Sequence, residues 1–285
     1  MHRLKAADPP YDFTYVAPAP NGLNLMPDRL ADDLEFVKAL ATEAAALARE
    51  RQAGVLPTEK PNHSYVTDLD LELERLLRDR LAARFPDDRL TGEEYAAAGG
   101  SGPRRWSIDP IDGTGNLVHA LPMWAISIGL IDDGEPVLGV IAIPPLNELY
   151  WATKGGGAWR DGHRLHCLDA DSFHHQDNVC LGTNAMRAVD PRSLKGRLRD
   201  IGSACCELVF VASNRLQACT FLGEHAHDVA AGAVIVSEAG CGFATIDGRT
   251  LTAAEFVAET PVKVPTFIAP PMRLKALLAS ARRYP

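Results

Sequence analysis

Long stretches of helical periodicity alternate along the chain with short apolar runs of strand character. Between residues 27 and about 52, Leu30, Leu34, Val37, Leu40, Ala41, Ala44 and Leu47 recur three and four positions apart, the spacing of one buried helix face. Gly54 and Pro57 end that pattern. A second stripe, Leu69, Leu73, Leu76, Leu77 and Leu81, predicts a helix from 67–68 to about 85, with Thr67 or Asp68 as its N-cap. Residues 86–103, with Pro86, the acidic pairs Asp87-Asp88 and Glu93-Glu94 and several glycines, read as a loop. Strand character follows at 106–108, 124–131, 136–143, 148–153 and 158–160, with turn signals at Asp132-Asp133-Gly134-Glu135 and Asp161-Gly162. Gly155-Gly156-Gly157 lies between two of these runs and reads as part of a hairpin.

Polar residues 168–176 mark a join, after which strands and helices alternate. Strands are expected at 179–183, 216–221, 242–246 and 266–269, and helices at 191–198, 205–213, 228–239 and 272–283. Gly240 stands where a helix ends in a left-handed residue. Residues 1–27 lack periodicity and hold Pro9, Pro10, Pro18, Pro20 and Pro27, as in an extended arm. The expected organisation is an arm over 1–27, an α+β lobe over 28–170 and an α/β lobe over 171–285, in a mixed α/β fold whose helices and strands segregate in layers.

Composition narrows the function. Of 285 residues, 46% are hydrophobic and 23% charged, the balance of a globular protein with a sizeable core. The lack of a long apolar run or a basic-then-apolar start predicts a cytoplasmic protein without a membrane partner. A net charge of −8 with no long basic run argues against nucleic acid. The six cysteines form no Cys-x-x-Cys pair and are expected to be reduced, mostly small core residues.

The segment Trp106-Ser107-Ile108-Asp109-Pro110-Ile111-Asp112-Gly113-Thr114-Gly115-Asn116 carries the candidate chemistry. Asp109 closes an apolar run and Pro110 is expected to bar further strand pairing, so the chain must turn. Such a turn can aim both carboxylates and the Ile111 carbonyl at one hard cation, and the glycines leave amide groups open to an anion. Asp-Pro and Asp-Gly are also common in turns with no function. Glu93 or Glu94 could complete a cation site, or be a solvated acidic pair. Asp70 and Asp228 fall at helix starts, where an acid complements the dipole or serves a site. Glu224-His225-Ala226-His227-Asp228 invites a zinc reading, but no further histidines stand at ligand spacing. Phosphate-loop, dinucleotide and nucleophile-elbow motifs are absent from the sequence.

Together these segments resemble the inositol monophosphatase family of Mg²⁺-dependent, lithium-sensitive phosphatases. Four blocks follow the family's order: Val66-Thr67-x-x-Asp70, Gly92-Glu93-Glu94, Asp109 to Asn116, and Asp228 to Gly232 followed by Glu238-Ala239-Gly240. The resemblance implies an alternating αβαβα sandwich and a homodimer. It implies that Glu93, Asp109 and the Ile111 carbonyl bind one Mg²⁺, that Asp109, Asp112 and Asp228 bind a second, and that Glu93 reaches a third. Asp70, Thr114 and Glu93 are then catalytic, with Asp70 and Thr114 orienting and deprotonating a water. Gly113 and Thr114 hold the phosphate, and Ser203, Ala204 and Phe221 lie on the substrate side. The substrate is a small phosphorylated metabolite, by default inositol-1-phosphate, with histidinol phosphate, fructose 1,6-bisphosphate or a 3′-phosphoadenosine nucleotide as alternatives. The chain departs from the pattern at His227, where the family commonly has Trp, and at Gly115, where it has Thr or Lys. It departs also at Phe221, where inositol-specific members have a glutamate; Glu224 stands nearby. A catalytically weak paralogue that binds a partner through the Pro-rich arm is a competing reading, opposed by the intact set of acids.

Overall fold

The computed structural model describes residues 28–61 and 63–284. The Pro-rich arm expected over 1–27 lies outside the described residues. The first half runs α1 (Asp28–Arg51), β1 (Pro57–Glu59), β2 (Tyr65–Thr67), α2 (Asp68–Arg84), β3 (Arg89–Gly92), β4 (Ala98–Gly99), β5 (Arg104–Asp112) and α3 (Thr114–Val118). It continues through β6 (Ala125–Asp132), β7 (Glu135–Ile143), β8 (Glu148–Thr153), β9 (Gly157–Arg160) and β10 (His163–Leu165). The second half holds β11 (Asn178–Cys180), α4 (Thr183–Met186), β12 (Arg197–Arg199), α5 (Ala204–Ala212), β13 (Cys219–Phe221) and α6 (Ala226–Glu238). It closes with β14 (Gly242–Thr245), β15 (Thr250–Leu251), α7 (Ala253–Phe256), β16 (Thr266–Ala269) and α8 (Pro271–Ser280).

An eight-stranded sheet in the order β10-β9-β8-β7-β6-β5-β3-β4 forms the centre. Helices α1 and α2 pack on one face, and α5 and α6 stand on the other. Beyond α5 lies a four-stranded sheet, β13-β16-β14-β15, with α8 outside it. The result is the αβαβα sandwich. The apolar stripes do the layering: Val37, Ala41, Ala44, Leu69, Leu73 and Leu77 are all fully buried. Arg104 on β5 is buried between Asp33 of α1 and Asp88, which also accepts a bond from the Trp106 indole at 2.9 Å. Both hairpin signals are realised, since Asp133 and Gly134 (φ 50° and 80°) and Asp161 and Gly162 (φ 49° and 83°) adopt the left-handed geometry that two-residue turns need.

Three elements differ from the sequence expectation. Strand β5 does not stop at Asp109: it pairs Asp109 with Ser127 and Asp112 with Ala125, with a bulge between them. Pro110 occupies that bulge, where a missing amide hydrogen breaks no ladder bond. The stretch 86–103 is not all loop, because β3 pairs parallel to β5 with Gly92 opposite Ile108. The helix expected at 191–198 is a single 3₁₀ turn, Pro191–Ser193, followed by β12 paired parallel to β11. Gly196 at φ 98° turns the chain there, and Arg197 donates its amide to the Asp177 carbonyl at 2.7 Å.

Candidate active site

The bulge in β5 builds the site. Two residues on β5 oppose one on β6, so Asp109 and Asp112 escape strict alternation and face the same cavity. Asp109 is 1% exposed and Asp112 8%. Asp109 accepts a hydrogen bond from the Ile111 amide at 3.0 Å. Asp112 accepts one from the Ser203 hydroxyl and one from the Cys205 amide, at 2.7 Å for the amide. Asp228, at the third position of α6, accepts from the His225 amide at 2.6 Å. Ligand atoms of Asp109, Asp112 and Asp228 all lie within 4.8 Å of one another.

Hydroxyl and amide donors, and a His227 ring that burial holds toward its neutral form, leave this trio's charge uncompensated, and its acidity responds. Burial pushes the Asp109 carboxyl well up, and Asp112, Glu93, Asp228 and Asp70 push the same way. Burial likewise raises Asp112 to about 7, with Asp228 adding to it, and raises Asp228 to about 6. Buried oxygen donors with this need for positive charge are the donor set that Mg²⁺ or a similar hard cation takes.

Glu93 arrives from β3. The Gly92–Ile108 register puts the next residue beside Asp109, and both line a pocket of about 350 Å³. Its Oε1 and that of Glu94 lie 2.8 and 2.6 Å from the Lys60 ammonium. Behind them the buried Glu74 carboxylate accepts from the Glu94 and Tyr95 amides at 2.7 and 3.3 Å and pairs with Arg78 at 2.7 Å. Lys60, Glu74 and Arg78 belong to no motif that the sequence presents. The available signal was an acid, Glu74, inside the leucine stripe of α2.

Asp70 sits in the capping box of α2, where its Oδ2 accepts from the Thr67 amide at 2.9 Å. Its other oxygen lies 3.0 Å from Thr114 Oγ1, which is also 2.9 Å from the Ile111 carbonyl. Gly113 caps α3 in the left-handed region (φ 88°), and a Cβ there would stand 3.1 Å from the Met123 carbonyl and 3.1 Å from the Ser203 Cβ. Asn116 ties the turn down by donating to the Met123 and Ile201 carbonyls at 2.6 and 2.8 Å. Gly115 also lines the pocket, and a Cβ on it would meet nothing within 4 Å.

The structure therefore brings Asp70, Glu93, Asp109, Ile111, Asp112, Gly113, Thr114 and Asp228 together. Ser203 touches the group through Asp112 and caps α5, and Ala204 follows it at the helix start. Phe221 is not brought to the pocket: it is 4% exposed, its ring 6.3 Å from Phe256 in the core. His225 and His227 stack on each other at 5.4 Å, and the His227 ring reaches Asp228 at 3.5 Å. Among the described residues the three-acid group contains no histidine or cysteine.

This layered sandwich with an acidic pocket beside its bulged strand is that of a phosphatase. The chain belongs to the inositol monophosphatase family, whose model matches residues 30–284. It is 29% identical to a fructose-1,6-bisphosphatase/inositol-1-monophosphatase of Aquifex aeolicus, over 81% of this chain and 92% of that protein. It is 33% identical to a histidinol-phosphatase of Streptomyces coelicolor, over 79% and 90% of the two chains. It is 36% identical to an inositol-1-monophosphatase of Mycobacterium bovis, over 70% and 79%. An IMPase of Thermotoga maritima superposes with a TM-score of 0.77 at 27% identity, covering 87% of this chain and 96% of that one. No helix among the described residues is long and apolar enough to cross a membrane.

Proposed function

We propose that the protein is a Mg²⁺-dependent phosphomonoesterase acting on a small phosphorylated metabolite, by default inositol-1-phosphate. One observation carries the reading: two buried carboxylates, Asp109 and Asp112, and the partly buried Asp228 converge within 4.8 Å, with no lysine or arginine paired to any of them among the described residues. Glu93, Asp109 and the Ile111 carbonyl would hold one Mg²⁺, Asp109, Asp112 and Asp228 a second, and Glu93 would reach a third. Bound there, the ions offset the charge of a phosphate and make a nearby water more acidic.

The chain's own groups do the rest. With Asp70 as acceptor, the Thr114 hydroxyl is held in one orientation, and the pair aligns the attacking water and takes up its proton. Amides of Gly113 and Thr114 at the first turn of α3 have no helical partner and hold phosphate oxygens. Ser203 keeps Asp112 aimed at the trio. Lys60 bridges Glu93 and Glu94, offsets part of their charge and ties them to the segment between β1 and β2. Relatives of similar identity are named histidinol-phosphatase and inositol-1-monophosphatase, so both leaving groups belong in the test.

Release of inorganic phosphate from a panel of phosphomonoesters tests this, run with Mg²⁺, with Mg²⁺ plus Li⁺, and with a chelator. Turnover that needs Mg²⁺ and disappears in Asp109→Asn for every ester is the expected result. No turnover of any ester would return the reading to a partner-binding paralogue, and turnover with zinc alone would return it to the histidines. Near-full activity in Asp109→Asn would refute the metal assignment.

A further inference from the structure

Cys167 and Cys241 differ from the other four cysteines. Cys180, Cys205, Cys206 and Cys219 are buried, whereas these two are half-buried. Their sulfurs lie 2.8 Å apart, although the residues are 74 positions apart in sequence. Backbone bonds hold both in place. The Cys167 amide donates to the Ala239 carbonyl at 2.8 Å, just past α6, and the Cys241 amide donates to the Val236 carbonyl at 2.9 Å. Gly240, at φ 98°, turns the chain between them. On the other side, Asn214 accepts from the Leu168 amide at 2.6 Å and donates to the His166 carbonyl at 2.8 Å. Two sulfurs fixed this close need only a small side-chain movement to reach the bond length of about 2.05 Å.

We propose that Cys167 and Cys241 are an oxidisable thiol pair, which a small-molecule disulfide converts to an intramolecular disulfide in the folded protein. In the first step the Cys167 thiolate attacks the small disulfide, forming a mixed disulfide and expelling one thiolate. Cys241 then loses its proton to solvent and attacks the Cys167 sulfur, expelling the second thiolate. Two protein thiols are oxidised and one small disulfide is reduced to two thiols, so electrons and protons balance. Burial, with the neighbouring Cys167, holds the Cys241 thiol far less acidic than usual, which suits it to the second step rather than the first. The new bond staples the exit of β10 to the end of α6 opposite Asp228, so it bears on stability rather than on the phosphatase pocket.

The full-length protein is incubated with oxidised glutathione, digested without reductant and mapped by mass spectrometry. A peptide linking Cys167 to Cys241 is expected, with loss of two hydrogens from the intact protein. Closing so long a loop should raise Tm by about 5 °C, reversibly with dithiothreitol. Cys167→Ser and Cys241→Ser should each lose both the linked peptide and the Tm gain, with circular dichroism confirming their folds. The map of the unsubstituted protein reads the link directly, so a poorly folding variant does not leave the question open. Stable glutathione adducts without the link, a link involving a buried cysteine instead, or a link formed only in urea would overturn the proposal.

Discussion

Asp70 meets two demands with one carboxylate: one oxygen caps α2 and the other faces Thr114. Its helix-start position therefore has a structural and a chemical use at once, which sequence alone presents as alternatives. Phe221 shows the opposite case. Its place seven residues before Asp228 suggested a substrate contact, and on that basis Phe221→Glu would change substrate ranking. The side chain instead fills core space between β13 and α7, at 4% exposure. Placing a carboxylate there should cost about 3 kcal/mol or more and lower Tm with every substrate affected alike. Urea unfolding of the variant checks this. Unchanged stability with an altered substrate order would show that Phe221 faces the pocket after all.

At the scale of elements, the approach of α6 to the sheet sets where Asp228 stands. Gly129 on β6 and Gly139 on β7 are paired across the strands and form a notch. A Cβ on Gly139 would lie 2.2 Å from the Ala231 carbonyl, and one on Gly129 would lie 2.9 Å from the Ala231 amide. Both clashes are with helix backbone, which cannot swing aside as a side chain can. Gly139→Ala should push α6 outward, destabilise the fold by about 1–3 kcal/mol and separate Asp228 from Asp109 and Asp112. Weaker Mg²⁺ binding by titration calorimetry, together with a lower Tm, is the expected pair of results. A variant with unchanged Mg²⁺ affinity would show that the notch does not place Asp228.

At the scale of the molecule, the site sets how stability depends on pH. The folded-state pKa values of Asp109, Asp112 and Asp228 all lie above the unfolded value of about 4. Between that value and about 7, the value to which Asp112 is raised, these carboxyls bind more protons in the folded protein than in the unfolded chain. The three carboxyls therefore contribute stability that falls as pH rises through this window in chelator, while His166 and His227, both lowered by burial, contribute with the opposite sign. Saturating Mg²⁺ stabilises the ionised carboxylates and should raise Tm most at the alkaline end, flattening the slope. Glu207 and Glu224, both raised to about 8 by burial, leave part of the slope in place. Scanning calorimetry from about pH 5 to pH 8, with and without Mg²⁺, checks the sign. Equal melting temperatures in chelator and in Mg²⁺ across that range would exclude the trio as a cation site.

What the chain's order alone determined is local in origin. Helical stripes, two-residue turns and helix-start acids follow from neighbours a few positions apart, so α1, α2, both hairpins and the ends bearing Asp70 and Asp228 could be read directly. The Asp109–Thr114 segment was legible too, because proline, glycine and paired acids leave few conformations open. Tertiary structure decided whatever depends on a partner distant in sequence. Pro110 sits within a strand because β6 accommodates the bulge, and Glu93 reaches Asp109 because β3 pairs parallel to β5. Residues 191–198 leave the helical path because β11 takes 197–199 as a parallel neighbour. Lys60 and Glu74 join the site, and Phe221 leaves it, for the same reason: a side chain's surroundings come from packing, and packing is settled only when the layers meet.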